Sequence, residues 1–262
     1  MKETVLAPVR ANAGVELEFQ RKLEVLISEM HKSLIYWLTV AYRATPPEMA
    51  RDESPAAALN AIMKRLARKW NKRFAEAAPE LAKYFSLAAR DRTDGALRAA
   101  LKKAGMTVSF KMTRAVNDIV QAKVAENVSL IKTIASEHLA DVEQLVMRSV
   151  AAGRDLGGLR EALQERYGIT HRRAALIART SNNQTTAAIL KARQGELGVT
   201  TAKWIHSHAG RTPRPEHVAW NGKEYPIAEG MYSKVDREFV WPGTPFNCRC
   251  QSRSILPHMV NR

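Results

Sequence analysis

Three histidines, His206, His208 and His217, and both cysteines of the chain, Cys248 and Cys250, fall within a short C-terminal stretch. Neutral imidazoles and thiolates are the donors of a tetrahedral zinc site. In an extended segment alternate side chains share a face. Trp204, His206 and His208 therefore lie together, with Ile205 opposite, and Cys248 and Cys250 point one way, with Arg249 opposite. His217 follows a rigid Pro213-Arg214-Pro215 segment. The ligand set read from this pattern is His208, His217, Cys248 and Cys250, with His206 as the alternative to His208. Common structural zinc sites space their cysteines by two or more residues, whereas one separates these. A small metal-free fold with two buried thiols and surface histidines therefore stays open. A disulfide is poorly served, because two extended residues span about 6.6 Å, the upper edge of its geometry. Reduced thiols fit synthesis in a reducing cytoplasm.

Other chemistries find less. The histidines, Asn221 and the cysteines imitate a His-Asn-His nuclease site, which also needs a metal-binding histidine after its hairpin. Only His258 follows His217. Ser207 stands between two histidines without a nucleophile elbow, and the C-terminal region has no Glu-x-Glu pair for a transferase. The expectation is a protein that is not an enzyme. Arg214 can anchor a carboxylate or phosphate, or pack on Trp204 or Trp220. Asn221-Gly222 predicts a tight turn, and Pro242-Gly243 turns the chain into the cysteine pair.

The elements that position these residues are mostly helical upstream. Leu23, Leu26, Ile27, Met30, Leu34, Trp37, Leu38 and Ala41 recur at helical spacing within 15–44. Thr45-Pro46-Pro47 stops that helix, and Ser54-Pro55 opens another carrying Leu59, Ile62, Met63, Leu66, Trp70 and Phe74. Pro79 predicts a third start, and Asp94-Gly95 a break. A long helix over about 113–152 carries a Val/Ile/Leu stripe that includes His138 as a core histidine, ending at Gly153. Asp155 caps a helix to Tyr167, and Thr170 caps a second reaching Gln194. Beyond Thr200 prolines and glycines multiply, and extended pieces at 200–207, 224–227, 238–241 and 249–256 predict a small sheet. The fold class is thus a mainly α region, 1–152, for docking and assembly, followed by a small α+β domain, 153–262, of a helix pair and a short antiparallel sheet.

Charge bears on partners. The chain carries 41 Lys+Arg against 26 Asp+Glu, a net +15. Residues 153–262 hold 17 basic and 9 acidic side chains, so the excess is not a tail. Such a charge favours a polyanion, and sequence-independent contact with double-stranded DNA needs no dedicated motif. No helix-turn-helix, zinc-finger or RNA-binding signature is present. The longest apolar run, near 34–42, is too short to span a bilayer, and the first twenty residues lack a signal-peptide core.

The run from Ile177 to Tyr225, followed by Trp241-Pro242-Gly243-Thr244-Pro245-Phe246-Asn247-Cys248-Arg249-Cys250, resembles the phage head morphogenesis family typified by protein F of phage Mu. The resemblance rests on Ala178-Arg179-Thr180, Trp204, Arg214 with His217, Asn221-Gly222, and Pro242-Gly243 before Cys248-Arg249-Cys250, over about 155–256. This chain departs from many relatives in having His206-Ser207-His208, not an acidic residue, just after the tryptophan. The resemblance implies a minor head protein of the virion, associated with the portal vertex. It would act in head assembly, DNA packaging or genome delivery, with portal protein, major capsid protein and packaged DNA as partners and no membrane.

Overall fold

The computed structural model describes residues 4–44 and 55–256. The readings at Thr45-Pro46-Pro47, Ser54 and His258 lie outside these residues. Helix α1 (Ala13–Ala44) buries Leu23, Leu26, Ile27, Met30, Leu34 and Leu38 of the predicted stripe, but not Trp37 or Ala41, and adds Phe19. Trp37 stays partly exposed beneath the Arg65 guanidinium, 4.8 Å from its ring. Asn12 caps α1, its side-chain oxygen accepting from the Val15 N–H at 3.1 Å.

Helix α2 (Pro55–Lys103) runs unbroken where two interruptions are predicted. Pro79 lacks the N–H that would bond the Ala75 carbonyl, but it lies on an exposed face, where water can satisfy that carbonyl. Ala78 and Ala82 are buried beside it. Asp94-Gly95 does not end the helix either, because Asp94 is held by a buried partner described below. Helix α3 (Arg114–Ala151) buries Val116, Val120, Ile131, Ile134, Ala135, Leu139, Val142 and Val146. Gly153 takes the left-handed φ of 91° at its end, and the Arg154 N–H returns to the Ser149 carbonyl at 2.7 Å.

Asp155 caps helix α4 (Leu156–Glu196) through the Gly157 and Gly158 amides, at 2.8 and 3.0 Å. The predicted helix pair is one continuous helix of 41 residues. Thr170 does not open a new helix: its hydroxyl donates to the Arg166 carbonyl at 3.1 Å. That bond satisfies the threonine inside the helix, and Gly168 costs a helix interior only about 1 kcal/mol.

The chain forms two compact units. One comprises the described parts of Leu17–Ala82 and Ala125–Ile177, and its described elements are all helices. His138 is buried in it with Nδ1 2.8 Å from the Thr170 hydroxyl, and His31 stacks on Tyr167 at 4.3 Å.

The other unit comprises the described parts of Met1–Glu16, Lys83–Val124 and Ala178–Arg262. Its four-stranded antiparallel sheet has the order β1 (Thr4–Val5), β6 (Gln251–Leu256), β2 (Thr201–Ile205), β3 (Glu224–Pro226). A hairpin of β4 (Met231–Ser233) and β5 (Glu238–Val240) stands beside it in sequence. Leu97, Leu101 and Leu190 from α2 and α4 share a core with Leu6, Val9, Ala202, Trp204, Tyr225, Ile227, Cys248 and Cys250. Strands β2, β3, β5 and β6 fall on predicted extended pieces. The two-residue β1, β4, and a short helix α5 (Pro215–Ala219) do not.

The buried Arg193 and Asp94 of this unit pair with each other. The Arg193 guanidinium donates to both Asp94 oxygens at 2.8 and 2.7 Å, to Glu196 at 2.8 Å and to the Lys111 carbonyl at 2.9 Å. The hydrogen bond to Asp94 raises its pKa, against desolvation.

Candidate metal centre

His217 sits on α5, where Pro215 pre-sets the first helical φ and Trp220 caps the C-terminus. Its ring lies 5.0 Å from Trp204, edge to face, and stacks on Trp220 at 5.3 Å. Trp204 is fully buried on β2, and Trp220 and Tyr225 meet its ring at 4.8 and 6.1 Å. These aromatic contacts fix the imidazole so that Nδ1 faces two sulfurs. Cys248 Sγ is 3.5 Å from that nitrogen and Cys250 Sγ is 3.7 Å. The three donor atoms all lie within 4.8 Å of one another, and all three side chains are buried.

The cysteines reach this point by a tight turn. Gly243 has φ 90°, and a Cβ there would sit 3.3 Å from the Asn183 carbonyl, the Ala187 side chain and the Cys250 carbonyl. Asn247 is also left-handed, φ 56°. Its N–H donates to the Thr180 hydroxyl at 3.3 Å, while Gln184 donates to the Thr244 carbonyl at 2.9 Å. Helix α4 thus holds the turn from one side. Arg249 donates to the Ala209 carbonyl at 3.0 Å.

Electrostatics follow the geometry. The Cys248 thiol is pulled down to about 4, first by the hydrogen bond from Cys250 and then by His217, against burial. The same pairing pushes Cys250 up. A cation bound to both sulfurs would take them as thiolates and release their protons.

Not every predicted ligand joins the cluster. Strand β2 ends at Ile205, and His208 adopts φ 53°, so the alternation that would carry it along one face stops short. His208 is exposed, and its ring meets that of His206 edge to face, centroids 4.5 Å apart. His206 is buried, and its Nδ1 accepts from the His208 N–H at 3.2 Å. Burial, then His208, then His217 lower its pKa. A cavity of about 660 Å³ is lined by His206, His217, Cys248, Cys250, Arg211 and Arg214, among others.

The remaining motif residues frame the site. Arg214 donates to the Phe246 carbonyl at 3.1 Å, so it clamps the cysteine turn and does not pack on either tryptophan. Asn221 keeps a negative φ and its side chain accepts the His206 N–H at 3.0 Å, while Gly222 alone takes the left-handed conformation, φ 81°. Pro242 is buried. Glu216 accepts from the Ser233 hydroxyl at 2.8 Å and the Lys234 N–H at 2.9 Å, tying α5 to the β4–β5 hairpin. This last contact had no sequence signal, since one acid among loops looks like any solvated charge.

Residues 140–253 match the family model described as phage Mu protein F like protein. This stretch is similar to the phage Mu protein F like family. The Mu F-like stretch holds all of α4, the cluster, and every motif residue from Ala178 to Cys250. A relative is an uncharacterized protein of Haemophilus influenzae, 30% identical over 141 residues. That match covers 54% of this chain and 30% of the relative, so the chain spans well under half of the relative's length. No solved structure matches the chain. Among the described residues no helix is long and apolar enough to cross a membrane.

Proposed function

We propose that this protein is a minor head protein of a phage, associated with the portal vertex and acting in head assembly, DNA packaging or genome delivery. The observation that carries this reading is the Mu F-like stretch at 140–253, whose Trp204, Cys248 and Cys250 share one core. The role is structural and not enzymatic: a rigid sheet-bearing unit presents a surface, and the helical unit docks on portal or major capsid protein through apolar faces. The net charge of +15 supports a position beside packaged double-stranded DNA, where it lowers the cost of bringing phosphates close. The test is a phage in which the gene for this chain is silenced and then supplied in trans. The reading expects heads that are absent, misassembled or poor in DNA, restored by the supplied gene. Normal yields of infectious, DNA-filled particles without the protein contradict it.

A further inference from the structure

The His217, Cys248 and Cys250 donors are spaced as the corners of a metal tetrahedron. With zinc–sulfur bonds of about 2.3 Å and zinc–nitrogen bonds of about 2.0–2.1 Å, tetrahedral corners lie about 3.5 Å apart for nitrogen and sulfur. The 3.5 and 3.7 Å separations from Nδ1 to the two sulfurs match that edge. A neutral thiol-to-imidazole hydrogen bond explains one such contact. It does not explain why both sulfurs converge on one ring nitrogen. Two thiolates with imidazole in a tetrahedral arrangement select zinc over the harder cations.

Among the described residues no fourth His, Cys, Asp or Glu donor lies within 4.8 Å of all three, so the fourth ligand must close on the ion from nearby. His206 is buried, lies at the end of the strand that carries Trp204, and shares with the cluster the cavity into which Cys248 and Cys250 open. His208 is exposed and turned away by its left-handed backbone. We propose that His217 through Nδ1, Cys248, Cys250 and His206 hold one structural zinc ion, and that His208 does not. The single residue between the cysteines suffices because the left-handed Asn247 and the turn at Gly243 aim both thiols inward, which a plain strand would not do. The ion pins the cysteine turn, α5 and the end of β2 to one another. With protein donors at all four corners it leaves no position for an attacking water, so the role is to hold the fold.

The test uses the full chain, purified without a metal-affinity step, equilibrated with zinc and then desalted. Elemental analysis should give one zinc per chain. Cobalt exchanged for zinc should give the absorption of a tetrahedral ion with thiolate-to-metal charge transfer. Cys248→Ser and Cys250→Ser should each weaken zinc binding, in competition with a chromophoric chelator, by well over tenfold. His206→Ala should weaken it by about tenfold or more and alter the cobalt spectrum, while His208→Ala leaves both unchanged. Should the serine variants not fold, the wild-type protein still decides: bound zinc should slow alkylation of both thiols at least about tenfold, and a chelator should restore the rate. Protein that holds no zinc after equilibration, or contains a Cys248–Cys250 disulfide, overturns the metal centre. A cobalt spectrum and zinc affinity indifferent to His206→Ala overturn the four-residue set. These readouts do not depend on the role in the phage head.

Discussion

Gly243 shows how one residue can decide where two others go. Its φ of 90° is open to glycine and strained for any other residue, and the space a Cβ would need is already filled by α4 and the Cys250 carbonyl. Gly243→Ala should therefore lower stability by about 1–3 kcal/mol, read from chemical denaturation. It should also raise the reactivity of Cys248 and Cys250 toward a thiol reagent. An unchanged midpoint with unchanged thiol reactivity would mean that the turn does not place the thiols. Trp204 makes a second point at this scale. It is fully buried against His217, Trp220 and Tyr225. Trp204→Ala should cost about 3–5 kcal/mol by denaturant unfolding, whereas Trp204→Phe, which keeps an edge for the imidazole, should cost less. Much of the site could be read from residue types. His217, Cys248, Cys250, the Pro242-Gly243 turn and the Asn221-Gly222 turn all lie where their chemistry indicated. His208 did not, because period-two alternation holds only while the strand lasts, and nothing in the residue itself marks Ile205 as the last one.

At the scale of elements, the helices behave as their buried stripes require, even where local signals point elsewhere. Pro79 and Gly168 each weaken a helix locally, yet both α2 and α4 continue. Burial of residues such as Phe74, Phe85, Leu163 and Ile177 on either side outweighs a penalty of a few kcal/mol at most. Helix breaks inferred from single residues failed for this reason, while the cap at Asp155 and the stop at Gly153 held, because no packed helix follows through them. The α3–α4 contact carries a pH prediction. His138 on α3 is pushed down to about 4 by burial first, then by His31 and Arg166. It faces Thr170 and Arg166 on α4 and His31 on α1, and burial lowers the pKa of His31 as well. Between pH 6.5 and about 4 the unfolded chain binds a proton at this position that the folded chain does not. Its contribution is therefore full above pH 6.5 and is lost as pH falls toward 4, a loss of about 3 kcal/mol. His138→Gln should flatten that part of the stability-versus-pH curve; an equal slope in both proteins would contradict the assignment. The Arg193–Asp94 pair makes a separate case. Asp94→Ala leaves a buried guanidinium short of its main partner and should cost about 3–5 kcal/mol. Changing both residues to apolar ones, Asp94→Leu with Arg193→Met, should cost distinctly less than the single change. If the double variant is the worse of the two, the charges are not what the site stabilises.

For the molecule as a whole, the sheet-bearing unit takes its core from distant stretches of chain. Leu6 and Val9 near the start, Leu97 and Leu101 in the middle, and Leu190 onward share one apolar cluster. Strand β1 completes the sheet edge beside β6, and the Leu6 N–H donates to the Ser254 carbonyl at 2.9 Å. A two-residue strand has no periodicity to detect, and its partner lies almost the whole chain away, so this link was invisible in the sequence. The helical character and the small C-terminal sheet were legible, because long stripes and clusters of proline and glycine report on many residues at once. Charge operates at this scale too. Binding of the protein to double-stranded DNA of unrelated sequences should be equal among them and should fall steeply, by tenfold or more, between about 50 and 200 mM salt. Affinity that ignores salt would remove DNA from the set of partners. The central claim is that this chain is a component of the phage head. Quantitative mass spectrometry of purified, DNA-filled heads tests it directly. The account predicts the protein in those heads, at a small fraction of the major capsid protein's copy number. Its absence from intact heads made by cells that express it would contradict the account.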